Sequence, residues 1–422
     1  MKSNLIIIIT LVLFSSCERK QFDYDVIIVG GGLSGIAAST ELDEQSSSLI
    51  IEKESQLGGR VLTHNYNNRY FYDLGAVYLL DSSYFDELPI KDSIIDENNA
   101  IGIWSNGLIY EGYNFKTALK NYHPKQRDLI DSIYENNTFN FKGIDPLLLN
   151  ALNTNIKSVF PGSIFDYNLP IQQYAKVRYN SSHFVKGNQA VKDKLLEHLK
   201  SEVLLNTTVK SVEESTNGGV IVTFENSGKI KMLSARKVIV STNALVAKVI
   251  IKEQTNEFQS FINSINYAPY ISIAIGIKDT IAMRKLAYVI PINKGFSAVL
   301  KQKTVDKDVT IFQLYVASED IPLFGNMLNL KNKAFELLHE IWSVDSTKTL
   351  FFDEKYWPTA GVLADDHYKK DWNKFNFKAS KNVFISGDYC SLRGVPYGMI
   401  PAMQTGKEAA QKVNKELNFL TP

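Results

Sequence analysis

Apolar residues in this chain fall into two patterns. Val26-Ile27-Ile28-Val29 and Leu49-Ile50-Ile51 are short, unbroken and β-branched, the composition of strands buried on both faces of a parallel sheet. Between them Ile36 to Leu42, with Ala37 and Ala38, has helical character. Further on the apolar runs alternate with polar residues and are bounded by turn formers. They predict strands over 203–205, 208–213, 219–224, 229–233 and 237–241, the middle ones joined by turns at Asn217-Gly218 and Asn226-Ser227-Gly228. Two other stretches mix the patterns: 124–136 and 145–158 read as helices, 270–277, 287–292 and 310–317 as strands, and 331–342 as an amphipathic helix. A strand–helix–strand opening interrupted twice by sheet-and-helix segments implies an α/β chain.

Length and composition narrow this. The chain has 422 residues, more than one core usually organises, so two domains or one with a large insertion are expected. Hydrophobic residues at 45% and charged residues at 22% fill a core and exclude wholesale disorder. Lys and Arg number 46 against 45 Asp and Glu, with a pI near 7.6, so there is no electrostatic footprint for nucleic acid. Two cysteines and six histidines, none at HExxH or CxxC spacing, are poor material for a disulfide framework or a structural metal.

Residues 1–16 read as an address. Leu5 to Phe14 is almost wholly apolar but shorter than the about 20 residues that cross a hydrocarbon layer, and Lys2 precedes it. It fits a secretory signal. Phe14-Ser15-Ser16-Cys17 resembles a bacterial lipoprotein box, which makes Cys17 the lipidation site and the protein an exported, membrane-anchored lipoprotein on the periplasmic or cell-surface face. An ordinary signal cut nearby and an uncleaved buried strand are the other readings. With Cys17 lipidated, Cys390 is left as the only thiol.

The first chemical motif follows the first strand at once. Gly30-Gly31-Gly32-Leu33-Ser34-Gly35 is a GxGxxG opening a helix. Gly30 permits the tight turn, Gly32 lets backbone approach a pyrophosphate, Gly35 lets the helix lie close on the strand, and the amides of the helix start at Leu33 and Ser34 face the phosphates. The second strand ends at Glu52, about 20 residues after Gly32, the spacing at which a carboxylate reaches an adenosine ribose. A carboxylate there favours a ribose without a 2′-phosphate.

Beyond Glu52 come Lys53, then Gly58-Gly59-Arg60, then Asp73-Leu74-Gly75-Ala76-Val77. In that order these elements resemble the flavin-binding signature of the flavin-containing amine oxidase superfamily. That superfamily includes monoamine and polyamine oxidases, L-amino acid oxidases, protoporphyrinogen oxidase and phytoene desaturases. The resemblance returns at Phe184 to Val191, at Val209, and in Gly387-Asp388 followed by a final helix from Met399 with Pro401 in its first turn. It implies a Rossmann-like FAD-binding domain with a β-meander (17–80, 181–266 and 379–422) and an α+β substrate domain inserted in two pieces (81–180 and 267–378). It implies cofactor contacts from Gly30, Gly32, Leu33, Ser34, Gly35, Glu52, Lys53, Gly59, Arg60, Gly75, Ala76, Val77, Val209, Gly387, Asp388 and Met399. Asp388 would accept from the ribityl chain, and the helix start would aim its dipole at the flavin N1 and O2 edge.

Catalytic residues carry over less well. The lysine many family oxidases hold near flavin N5 is replaced by Ser272, and the aromatic that precedes the final helix is displaced to Tyr397, with Trp357 supplying a second pocket wall. Tyr397 and Trp357 are equally readable as packed aromatics. His183 reads as a surface or satisfied histidine rather than a base, and Cys390 as a small buried residue. The expected reaction is hydride transfer from a C–H bond beside nitrogen to flavin N5, with oxygen or another acceptor taking the electrons. Two alternatives stand beside it: a desaturase or isomerase of the phytoene desaturase kind acting on an apolar substrate, and a lipoprotein keeping the FAD fold as a binding module.

Overall fold

The apolar run 26–29 forms the buried second part of β1 (Tyr24–Val29), and α1 (Leu33–Glu41) returns the chain to β2 (Ser48–Ile51), which runs parallel to β1 with Val26 opposite Ser48 and Val29 opposite Ile51. The structure is a computed structural model that describes residues 22–76, 94–96, 100–135, 142–167, 182–278, 286–302, 308–365, 368, 376–391 and 398–418. Cys17, Val77 and Tyr397 lie outside these residues.

After β2 come the hairpin β3 (Thr63–Tyr66) and β4 (Tyr70–Asp73), then β5 (Ile94–Asp96), β6 (Ala100–Ser105) and β7 (Leu108–Gly112). Three helices follow, α2 (Phe115–Tyr122), α3 (Arg127–Glu135) and α4 (Pro146–Lys157). The last is entered through Asp145, whose carboxylate accepts the Leu147 amide at 2.8 Å, with proline at the first helical position. β8 (Ser182–Phe184) and α5 (Gln189–Leu196) lead into β9 (Glu202–Leu204), β10 (Thr207–Glu214), β11 (Val220–Asn226) and β12 (Lys229–Val240). Next are α6 (Ala244–Ile250), α7 (Asn256–Asn263), β13 (Tyr267–Ile277), β14 (Leu286–Pro291), β15 (Ala298–Gln302) and β16 (Thr310–Ala317). α8 (Met327–Trp342), β17 (Thr349–Val362), β18 (Val383–Ile385) and α9 (Met399–Asn418) complete the described elements.

Fourteen of the eighteen described strands assemble into two seven-stranded sheets, and β3–β4 and β5–β8 form separate two-stranded pairs. The first has the order β10-β11-β12-β1-β2-β9, with β18 also pairing β12. Its centre is parallel, β12 to β1 to β2 to β9, as an α/β nucleotide fold requires. The second, β17-β13-β16-β15-β14-β6-β7, is antiparallel except where β14 meets β6. Its strands come from two segments inserted into the first sheet's sequence, β6 and β7 between β2 and β9, and β13 to β17 between β12 and β18.

Three sequence expectations are corrected here. Strands predicted at 229–233 and 237–241 are one twelve-residue strand, because no Gly, Pro or Asn separates them. What changes along it is environment: Lys229 to Met232 are exposed and pair only with β11, while Val238 to Val240 are buried against β1 and β18. The helix expected from 124 starts as a 3-10 turn, Pro124–Gln126, and becomes α-helical at Arg127. The helix expected from 331 starts earlier, at Met327, because the Asn326 side chain caps it by accepting from the Asn329 amide. Among the described residues no helix is long and apolar enough to cross a membrane.

Candidate functional site

A cavity of about 670 Å³ runs from the carboxyl ends of β1 and β2 to the face of β13 and β17. Gly30, Gly32, Leu33, Ser34, Glu52, Lys53, Gly59, Arg60, Gly75, Ala76, Val209, Gly387, Asp388, Met399 and Trp357 all line it. Of the other predicted residues, Gly35 does not line the cavity. A Cβ there would sit 2.0 Å from the Gly30 carbonyl oxygen, so its absence lets α1 lie on the turn and shapes the site from behind.

At one end two glycine turns face each other. The Gly58 amide donates to the Gly31 carbonyl at 2.8 Å, and a Cβ on Gly59, at φ +59°, would sit 3.1 Å from the Gly32 Cα. Gly32 itself opens onto free space, with nothing within 4 Å of where a Cβ would point. Glu52 is buried, and its two carboxylate oxygens accept the Gly31 amide at 2.6 Å and the Glu54 amide at 2.9 Å. It therefore fixes the glycine turn to the end of β2.

The middle of the cavity is set by polar side chains from distant segments. Ser386 at the end of β18 meets Ser34 of α1 at 2.8 Å and Ser241 after β12 at 2.7 Å. Thr405 of α9 accepts from the Gly387 amide and donates to its carbonyl, which places the start of α9 over the cavity. Asn188 explains the motif near 184–191. Its buried backbone amide donates to the Asp73 carboxylate at 3.0 Å, and its side chain donates to the Ala76 carbonyl at 2.7 Å, holding the 73–76 segment against the wall.

Arg60 and Asp388 form an ion pair at 2.7 Å, and the other arm of the guanidinium donates to the Ala360 carbonyl at 2.7 Å. Two arms of the fork expected to face a cofactor are thus engaged by the protein. Burial works to lower the Arg60 guanidinium, and neighbouring Asp388 and Tyr267 outweigh it and raise it, so the arginine stays charged. Burial first, then Asp388, pushes the Tyr267 phenol well up. Burial and Asp388 likewise push the fully buried Cys390 thiol far up, which removes it as a nucleophile toward a flavin.

The far end is a side-chain face built by cross-strand pairing. Tyr270 on β13 lies opposite Trp357 on β17, Ser272 lies opposite Lys355, and Ser272 also lies opposite Tyr315 on β16. Directly paired residues point to the same side of a sheet, and all five line the cavity. The Trp357 indole donates to the Leu74 carbonyl at 2.6 Å, which locks the ring as a wall. Tyr270 and Tyr315 stack at 5.7 Å, and the Tyr270 hydroxyl donates to the Lys157 carbonyl at 2.8 Å. Sequence reasoning placed Trp357 and Ser272 near the reacting end but missed Tyr270, Tyr315, Lys355 and the Ser241–Asn243 turn. The signal for the first three is register, which periodicity alone does not supply. His183 lies on β8, in the pair with β5.

The residues present fit a flavin dinucleotide. The open space at Gly32, the Glu52 carboxylate and the helix start at Met399 all line one cavity of cofactor size.

Comparisons with known proteins agree with this geometry. Residues 28–89 match the NAD(P)-binding Rossmann-like domain, and residues 115–414 match the flavin containing amine oxidoreductase family. A flavin-containing amine oxidase of Oncorhynchus mykiss is 37% identical over 60 residues, 14% of this chain and 12% of that protein. Nicotine dehydrogenase of Pseudomonas putida is 46% identical over 53 residues, 12% of this chain and 11% of that protein. The matched segments thus span about a ninth of these curated relatives. Over the whole fold, cyclohexylamine oxidase from Brevibacterium oxydans superposes with a TM-score of 0.74 at 14% identity, covering 94% of this chain and all of that one. Putrescine oxidase bound to putrescine superposes at 0.71 and 17% identity, covering 92% and 98%. At such identity these likenesses speak for the fold, and it is the family match over residues 115–414, most of the chain, that settles membership: the protein belongs to the flavin-containing amine oxidoreductases.

Proposed function

We propose that the protein is an FAD-dependent oxidase or dehydrogenase of a small amine. The observation that carries this reading is the continuity of the cavity, which joins a dinucleotide cradle at the glycine turn to an aromatic face on a separate sheet. A binding module has no need of the second part. The chemistry FAD supplies when bound is acceptance of a hydride from the C–H bond beside the amine nitrogen and passage of the electrons to oxygen or another acceptor.

The chain's own residues bind and orient. Glu52 holds the adenosine ribose with the lone pairs its two amide bonds leave free, and the amides of Gly32, Leu33 and Ser34 face the pyrophosphate. Val209 flanks the adenine, Asp388 accepts from the ribityl chain, and the amide end of α9 at Met399 favours negative charge on the flavin ring. Arg60 holds the Asp388 carboxylate in place through their 2.7 Å ion pair. Trp357, Tyr270 and Tyr315 exclude water and align the donor carbon, and no side-chain base is required of them.

Cys17 is read in the same spirit as a lipid anchor that holds the enzyme at a membrane face outside the cytoplasm. Protein lacking residues 1–17, incubated with FAD and titrated anaerobically with a panel of amines, tests the enzymatic reading. A flavin spectrum that bleaches with one donor is the expected result; a bound flavin that no amine bleaches overturns it.

A further inference from the structure

Most charged groups lining the cavity are committed to other parts of the protein. Glu52 holds two backbone amides, Glu54 pairs with Lys53, and Asp388 pairs with Arg60. Lys355 is the exception. It lines the donor end, its ammonium lies 5.3 Å from the centre of the Trp357 ring, and among the described residues it forms no ion pair. Its partner across the strand is the Ser272 hydroxyl, buried at 2% exposure in the sheet yet facing the cavity. No carboxylate among the described residues lines this end of the cavity, and the aromatic face of Trp357 is already taken up by the Lys355 ammonium.

We propose that the substrate is an amine that also carries a carboxylate, an amino acid with an apolar or aromatic side chain, and that Lys355 and Ser272 bind the carboxylate. The inference rests on the amine-oxidising reading above and gives it a substrate class. An ammonium on a strand face, beside a hydroxyl donor and an indole wall, is a ready receptor for a planar anion. An alkylamine or diamine lacking the carboxylate would instead bring its own positive charge against Lys355. The tyrosines and Trp357 then take the side chain. The distinction matters because a site built to pair a substrate charge rejects the analogue lacking that charge far more strongly than an apolar pocket rejects a change of size.

The test uses the FAD-loaded protein and two ligands that cannot be oxidised as amines, 3-phenylpropionate and its neutral amide. Their binding is followed by calorimetry and by perturbation of the flavin band in wild type, Lys355→Met and Lys355→Arg, with flavin content as the control for folding. Wild type is expected to prefer the carboxylate about 10- to 100-fold, Lys355→Met to lose that preference while still binding the amide, and Lys355→Arg to restore it. Equal binding of the two ligands by wild type, or an undiminished preference in Lys355→Met, would overturn the proposal. Anaerobic reduction by phenylalanine against phenethylamine separates the two layers of argument. Bleaching by both donors with no carboxylate preference sinks the substrate class and keeps the oxidase; a carboxylate preference with no bleaching by either donor keeps the anion site and sinks the oxidase.

Discussion

The two ends of the cavity are built by different means. At the nucleotide end the backbone makes the site: paired glycine turns, one carboxylate fastened to amides, and a helix packed so closely that Gly35 admits no side chain. At the donor end the side chains make it: Tyr270, Ser272, Tyr315, Lys355 and Trp357 converge from three strands through pairing register. The first construction accepts few substitutions because it has no slack, and the second is open to change one residue at a time. A shared cofactor end and a variable donor end are what this difference teaches to expect across a family that uses one flavin for many amines.

The contrast is open to attack in order of expected effect. Gly35→Val should be the most damaging change, costing about 3 kcal/mol or more through overpacking at the Gly30 carbonyl. Purified protein should carry little or no flavin absorbance. Arg60→Met comes next, since it strands the Asp388 carboxylate, whose side chain is only 3% exposed. With the Arg60 side chain about a third exposed and the pair partly screened, a loss of about 2 kcal/mol in denaturant unfolding is expected. Glu52→Ala removes the acceptor of two backbone amides as well as the ribose contact, and should weaken FAD binding by about 30-fold while leaving the apparent KM for the donor unchanged in FAD-saturated protein. Were donor KM to rise instead, the division between the two ends would be wrong. Trp357→Phe keeps an aromatic wall but loses the bond to the Leu74 carbonyl, about 1 kcal/mol, and should raise donor KM about fivefold with FAD affinity intact. Smallest of all, Cys17→Ser should change no kinetic constant and should move the protein from the membrane fraction to the soluble exported fraction, read by fractionation and intact mass.

The same contrast explains what could be read in the sequence. Glycines, Glu52 and Asp388 act through backbone conformation and fixed spacing, so they leave a local trace: Gly30 to Gly35 and then Glu52 are visible as residue types at set intervals. Strand 310–317 was found to the residue, since eight consecutive buried positions make it apolar throughout. Strand β17 was not found. Its fourteen residues include Asp353, Glu354, Lys355 and Pro358 and are only partly buried, which hides both alternation and burial. Lys355 was missed with it, because its role depends on lying opposite Ser272, and that is a property of the pair. The partnership of Arg60 with Asp388 was missed for a related reason. Each was assigned to the cofactor alone, and nothing local in either segment reports that they meet.

The serine cluster in the middle of the cavity also bears on how the molecule comes together. Ser34 reaches Ser386 across 352 residues of chain, and the first sheet takes β18 as its final partner beside β12. Contacts of such long range are slow to form, because loop closure must be achieved before they stabilise anything. The glycine turn and Glu52, local to one another, are the natural early event in folding; the Asp388 turn and α9 are the late one. A flavin touching both would bridge the earliest and latest parts of the fold, so cofactor capture is expected to coincide with the last step of refolding, and free FAD to accelerate recovery of the native state or slow its loss.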